Sequence, residues 1–374
     1  MLVGGNAQQL ARSERALGLQ SWAVSFRRSS FGYPCDEVLW TDTSSGIVRE
    51  FRRWSLLWRA LHGFDVVHFN FGTPILSTPV PYDSNRHSGL FQAAHNMYRS
   101  VVAFKDLALL RRLKKAIFVT YQGDDARQAD YCLAHFRISP AHEVGPDYYP
   151  PGSDDQKRQT IARFDRYADG TYALNPDLLH VLPPRARFLP YGHIDLREWQ
   201  PSSHHPGSRD RPLVIHAPSH QGAKGTRHII EAVNRLKSEG VDLDFTLVEQ
   251  LSNTDARKVY EEADLVVDQL LVGWYGGLAV ECMALGKPVV CYIREDDLRF
   301  IDPEMRSQLP LIRADPHTIY DVLKEWLGNR LHRLAEVGTQ GRAYVERWHD
   351  PLVIAKSLYE QYQAALERSN LQRR

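Results

Sequence analysis

The chain has 374 residues, long for one core and comfortable for two domains that each bury their own interior. Its 46 lysines and arginines nearly balance 45 aspartates and glutamates, so bulk charge favours neither a nucleic-acid partner nor strong membrane binding, and any anion has to be recognised locally. The four cysteines, Cys35, Cys132, Cys282 and Cys291, form no CxxC pair, and three lie in or beside apolar segments; a reduced, cytoplasmic protein is expected rather than a disulfide framework or zinc site. No stretch approaches the ~18 apolar residues of a membrane span, and the start lacks the plan of a signal peptide.

In chain order, Leu2 and Val3 are all that precedes Gly4-Gly5-Asn6 in the way of a first strand. A helix is predicted over Ala7 to Leu17, where Leu10, Ala11, Glu14 and Leu17 have helical spacing and Gly18 ends the run. Trp22 to Phe26 reads as a strand. Arg49 to His62 places Phe51, Trp54, Leu57, Trp58 and Leu61 on one side and arginines on the other; it reads as a helix covering a sheet or one lying on a membrane surface. Asp65 to Asn70 follows as a buried strand, with His68 a core residue or one facing a cleft. A long helix is predicted from Leu90 to Leu113, its basic end suiting the helix dipole. Strand Ile117 to Tyr121 runs into Gln122-Gly123-Asp124-Asp125-Ala126-Arg127, a loop at the carboxyl end of a parallel strand, where open α/β sheets bind ligands. One of the two aspartates is expected to cap a following helix.

Asp130 to Asp169, rich in His, Pro, Tyr, Asp and Gly, is expected to be long and irregular, a lid or an acceptor site. Gly170 to Leu174 and Ala186 to Tyr191 read as strands, with a short helix starting at Asn175-Pro176-Asp177. The polar run Arg197 to Arg211 makes a linker, in which His204-His205 reads as solvent-exposed rather than metal-binding.

Beyond it come strand Leu213 to Ala217 and a helix from Thr226 to Glu239 with Ile229, Ile230, Val233 and Leu236 buried. Lys224 sits at the positive end of that helix, an unfavourable place for a cation unless an anion lies between them. Asp242-x-Asp244 has the spacing of a metal-binding pair, yet it opens the strand Val241 to Val248 and is read as structural. The apolar runs Leu265 to Leu270 and Val289 to Ile293 look like strands covered on both faces. Between them Gly276-Gly277 lets the backbone approach a ligand and opens a helix at Leu278, which Gly286 and Pro288 stop. The N-terminus of that helix offers amides to an anion. Glu281, one turn inside, either complements the helix dipole or serves the paired hydroxyls of a ribose beside bound phosphates. A short strand over Ser307 to Ile312 and helices over Pro316 to Leu327, Arg330 to Val345 and Leu352 to Glu367 complete the chain.

The run GGLAVECMALGKPVV resembles the donor-binding signature of the retaining glycosyltransferases of family four (group one), members of the GT-B fold class. The resemblance implies an α/β protein with two Rossmann-like domains facing each other across a cleft. It implies an acceptor-binding domain over residues 1–196, a linker over 197–211, a nucleotide-sugar domain over 212–350, and a helix over 351–374 that crosses back to the first domain. It further implies transfer of a sugar from a nucleotide-diphosphate donor to an acceptor hydroxyl, with retention, and with no metal and no cofactor beyond that donor. The acceptor would be a glycan, a lipid-linked molecule or a small molecule, with no nucleic acid involved and a peripheral membrane contact as a candidate.

In that family two glutamates separated by seven residues touch the donor sugar and the ribose. Glu281 stands at the second position, the first is Gly273, and Trp274-Tyr275-Gly276 replaces the usual aromatic-glycine step. Thr120-Tyr121-Gln122-Gly123 stands where the family has Thr-x-His-Gly; Gln122 can hydrogen bond a sugar but not transfer a proton. Lys224-Gly225 resembles the diphosphate-binding pair, with Ser219 in the place of a preceding arginine and His220 as a helper. By the same resemblance Gly5 and Asn6 approach the donor phosphates and Leu251 borders the nucleobase. Whichever of Asp124 and Asp125 does not cap the helix is, with Arg127, the candidate to orient or deprotonate the acceptor hydroxyl. The departures at Gly273, Gln122 and Ser219 leave open a binding subunit weakened in catalysis, and a nucleotide-sugar epimerase, which would share the architecture, is the other alternative.

Overall fold

A computed structural model describes residues 4–29, 32–79 and 89–371; Leu2 and Val3 lie outside the described residues. The strands are β1 (Val24–Ser25), β2 (Glu37–Val38), β3 (Val66–Asn70), β4 (Ala116–Tyr121), β5 (Gly170–Ala173), β6 (Arg187–Phe188), β7 (Leu213–His216), β8 (Asp244–Leu247), β9 (Leu265–Val267), β10 (Val289–Cys291) and β11 (Ile312–Arg313). β1 and β2 pair by themselves, β3-β4-β5-β6 form one sheet, and β11-β10-β9-β7-β8 form another. Every pairing is parallel.

Parallel strands need crossover helices, and those helices cover both sheet faces; hence β4, β9 and β10 are buried along their whole length. The loops that matter leave the carboxyl ends of β4, β7 and β9. The last helix, Pro351–Leu371, returns to the first sheet, where Ile354, Leu358, Tyr362 and Ala365 pack on Ala116, Phe118 and Tyr172. There His68 bonds Thr120 Oγ1 at 2.7 Å and Tyr362 Oη at 2.6 Å. Burial lowers its pKa to about 3, so it is a neutral core histidine.

Several sequence expectations are corrected. The strand at Trp22 to Phe26 shrinks to β1, and that at Ala186 to Tyr191 to β6. The helix expected over Leu90 to Leu113 is two, Gly89–Val102 and Lys105–Arg112, broken at Phe104 with φ +58. The break lets buried Asp106 accept from Ile75 N at 2.5 Å and Leu76 N at 3.3 Å, and sets Phe104 edge-on to Phe164. Asp130 to Asp169 is not irregular: it holds the helices Ala129–His135 and Ser153–Tyr167, the second hidden in the sequence because Ile161 and Phe164 alone bury its face.

In Gly46–Gly63 the buried positions are Leu57 and Ala60; Phe51 and Trp58 are 71% and 65% exposed. His204 is no free linker residue, since its Nε2 bonds buried Asp264 at 2.9 Å. Ser307 to Ile312 yields just the start of β11, because Pro303–Ser307 is helical under the Asp302 cap.

Candidate functional site

Gly276-Gly277 is the centre. The helix Gly277–Ala284 carries no side-chain cap, and its first internal bond runs from Val280 N to Gly276 O at 3.4 Å, so the amides of Gly277 and Leu278 precede it. The Gly276 amide is taken: it donates to Asp268 Oδ2 at 2.6 Å. Lys224 reaches the same place. Its chain turns at Gly225, φ +77, between the four-residue helix Gln221–Lys224 and the helix Thr226–Ser238. Lys224 Nζ donates to Gln269 Oε1, and Gln269 Nε2 donates to the Trp274 carbonyl. A Cβ on Gly276 would lie 3.6 Å from Lys224 Nζ and 3.5 Å from both Asp268 oxygens, so ammonium and carboxylate flank the backbone at this position.

One helical turn on, Glu281 is 4% exposed and accepts from two donors. Tyr33 Oη donates to Glu281 Oε1 at 2.8 Å, and Asn253 Nδ2 to the same oxygen at 2.9 Å and to Tyr33 Oη at 3.1 Å. Burial, then the Glu281 charge, raises the Tyr33 pKa, so the phenol stays a donor. His193 Nε2 lies 3.4 Å from the same Glu281 oxygen and 3.2 Å from where a Gly277 Cβ would stand. The first half thus meets the second at Glu281. Gly5 and Asn6 stand behind this contact: a Gly5 Cβ would lie 2.9 Å from the Tyr33 ring, and Asn6 Oδ1 accepts from Gly192 N at 3.2 Å. Leu278 is partly buried against the core, and Leu251 is 41% exposed just before the cap Ser252.

The loop after β4 is tied up internally. Asp125 accepts from Gly123 N at 2.7 Å and Gln122 N at 3.0 Å, and burial pushes its pKa up to about 6. No helix starts until Ala129, so neither aspartate is the expected cap. Asp124 accepts from Arg127 Nη1 at 2.8 Å, Tyr149 Oη at 2.8 Å and Tyr148 Oη. Arg127 also binds Asp177 at 2.7 Å. Burial raises the Asp124 pKa, but Arg127 and the two phenols outweigh it and the net direction is down. A carboxylate held ionised and saturated with donors is a poor base. Gln122 Nε2 is buried without a partner among the described residues, while the Gln122 backbone carbonyl accepts from Asn175 Nδ2 at 2.6 Å.

Other expected ligand contacts fall elsewhere. Trp274 and Tyr275 are fully buried and line no cleft: Trp274 packs on Phe188 and Tyr275, whose hydroxyl bonds His349 Nε2 at 2.9 Å. Ser219 and His220 are exposed, and His220 Nδ1 is spent capping Ala223 N at 3.1 Å. At Gly273, φ +89, a Cβ would lie 2.8 Å from Arg294 Cζ. Arg294 fills that place, paired to Asp297 at 2.8 Å, donating to Ile138 O at 2.9 Å, and lying 3.7 Å from the Phe136 ring centre.

Sequence reasoning passed over Asp268, Gln269 and His193. Two polar residues interrupting the buried run Leu265 to Leu270 were the available signal for the first two. Tyr33 and Asn253 carry none.

No protein-family model matches the sequence, and no curated protein matches it. Solved structures do. An Anabaena protein, HepE, in complex with UDP-glucose aligns with a TM-score of 0.59 at 10% identity over 96% of each chain. The sucrose-phosphate synthase of Thermosynechococcus elongatus aligns at 0.58 and 14% identity, over 96% of this chain and 92% of that one. A glycosyltransferase from Rickettsia africae aligns at 0.56 and 10% identity, over 98% and 96%. These likenesses are of fold: the chain has the GT-B fold, with a parallel sheet in each half.

Proposed function

We propose that the protein is a glycosyltransferase that holds a nucleotide-diphosphate sugar against residues 212–350 and an acceptor hydroxyl against residues 1–196. The observation that carries this reading is the convergence of Lys224 and Glu281 on Gly276-Gly277, where a helix N-terminus lacks a side-chain cap. Lys224 and the amides from Gly277 onward would take the diphosphate and stabilise charge on the leaving group. Glu281 would exchange the Tyr33 hydroxyl for those of a ribose. The UDP-glucose complex of the Anabaena neighbour supports the ligand class. Family-four membership, retention, the absence of a metal or cofactor, and a cytoplasmic location rest on the sequence alone. A peripheral membrane contact is supported by exposed Ile47, Phe51 and Trp58 beside Arg52, and cosedimentation with anionic vesicles tests it.

Calorimetric titration of UDP-, ADP- and GDP-sugars into the parent, Lys224→Ala and Glu281→Ala tests the central reading. Loss of one charged hydrogen bond, about 1.5–3 kcal/mol, weakens binding about 10- to 100-fold. Variants that bind as the parent does refute the assignment. Arg294 in the place of a side chain at 273, and the saturated Asp124, favour a second reading, a GT-B binding subunit without turnover. A parent that binds a nucleotide sugar yet neither hydrolyses nor transfers it supports that one.

A further inference from the structure

His193 leaves β6 in the segment Tyr191-Gly192-His193-Ile194-Asp195. Its side chain is 1% exposed, and neither ring nitrogen has a hydrogen-bond partner among the described residues. Leaving such a buried group unsatisfied costs about 1–3 kcal/mol. The backbone around it is pinned: Gly192 N donates to Asn6 Oδ1, and the Tyr191 carbonyl accepts from His349 Nδ1 at 2.8 Å. The ring is therefore held in place, its Nε2 edge on Gly277 and beside Glu281.

The second half has little else to offer a dianion. Ser219 is exposed, His220 caps its own helix, and Lys224, bonded to Gln269, faces Asp268 across Gly276. We propose that His193 is a diphosphate-binding residue, its Nε2–H donating from the first half to the phosphate that Lys224 and the Gly277 helix hold from the second. The diphosphate then bridges the two halves. The inference rests on the function proposed above and names the group that supplies its second donor.

The test measures affinities of UDP, ADP and GDP, with their monophosphates and nucleosides, for the parent, His193→Gln, His193→Phe and Lys224→Ala. Phe fills the same space without a donor, and Gln keeps an N–H. For the diphosphate the parent prefers, His193→Phe weakens binding about tenfold or more, the matching nucleoside changes less than about twofold, and His193→Gln recovers most of the loss. Equal losses for nucleoside and diphosphate overturn the inference. So does unchanged diphosphate binding in His193→Phe while Lys224→Ala is weakened, an outcome that leaves the proposed function standing. A parent that binds no nucleoside diphosphate overturns both.

Discussion

Placing a glutamate at position 273, where the sequence resemblance puts one, damages the protein rather than improving it. Gly273 has φ +89, which costs a residue with a Cβ roughly 1–2 kcal/mol. That Cβ would stand 2.8 Å from Arg294 Cζ and Nη1 and 3.0 Å from Arg294 Cβ, so rotating the tip of the arginine does not clear it. Displacing Arg294 breaks its pair with Asp297, which is fully buried and keeps His180 Nε2 at 2.8 Å as its remaining partner. Breaking a buried pair costs roughly 3–5 kcal/mol. Together Gly273→Glu loses about 4–7 kcal/mol, a large part of the 5–15 kcal/mol that holds a typical domain. Urea denaturation of Gly273→Ala and Gly273→Glu, each in the parent and in an Arg294→Ala background, measures this. In that background Gly273→Ala is expected to cost the backbone part alone, about 1–2 kcal/mol. A parent Gly273→Ala within about 0.5 kcal/mol of wild type, or equal costs in both backgrounds, refutes the reasoning.

Gly338→Ala should lower the melting temperature, because its Cβ would lie 2.0 Å from Gly286 O and push the helix Leu334–Trp348 off its seat at a cost of about 1–3 kcal/mol; an unchanged melting point contradicts that seating. Leu57→Ala should cost about 2–5 kcal/mol and Phe51→Ser or Trp58→Ser under about 0.5; equal costs by urea denaturation would mean the buried face of Gly46–Gly63 is misassigned. Acid should destabilise the fold through His68, His216 and His349, whose pKa values burial lowers to about 3, 4 and 3. Below about 6.5 the unfolded chain protonates all three and the folded one does not, so each removes stability as pH falls. Asp106 and Asp125, raised by burial to about 6, oppose this by holding protons in the folded state between about 6 and 4. The balance among these five groups is about one proton, roughly 1.4 kcal/mol lost per pH unit from 6 to 4. His349→Gln removes one histidine from it and should flatten the pH-dependence of stability by that amount; an unchanged slope means His349 is not held neutral.

What could be read from the sequence was local. Apolar runs without alternation marked β4, β9 and β10, and a glycine pair followed by an apolar helix marked the site, because burial on both faces and a close backbone approach each leave a one-segment signature. Lys224 was legible for a similar reason, a cation where the helix field disfavours one. What stayed hidden depends on partners far along the chain. Tyr33 meets Glu281 across 248 positions. Trp274 and Tyr275 look like ligand aromatics until the helix Leu334–Trp348 and His349 arrive to bury Tyr275. Phe104 breaks a helix because Asp106 is needed at the Ile75 and Leu76 amides, a demand that no helical periodicity records.

At the glycine pair the two halves differ in charge. The second half supplies Asp268 and Glu281 against Lys224. Burial holds the Asp268 pKa above its ordinary value even though Lys224 and the Gly276 amide pull it down, so this carboxylate already draws on the cation a phosphate would use. A dianion entering from that side must also separate Lys224 from Gln269. The first half brings the Tyr33 hydroxyl to Glu281 and the His193 ring to both Glu281 and Gly277 and, among the described residues, no carboxylate touches Glu281 or Gly277 from it. A buried donor such as His193 acts at a far lower effective dielectric than it would on an open surface. Affinity for an anion at Gly276-Gly277 is therefore a property of the joined halves, which is why the segment carrying His193 matters as much to the proposed chemistry as Lys224 does.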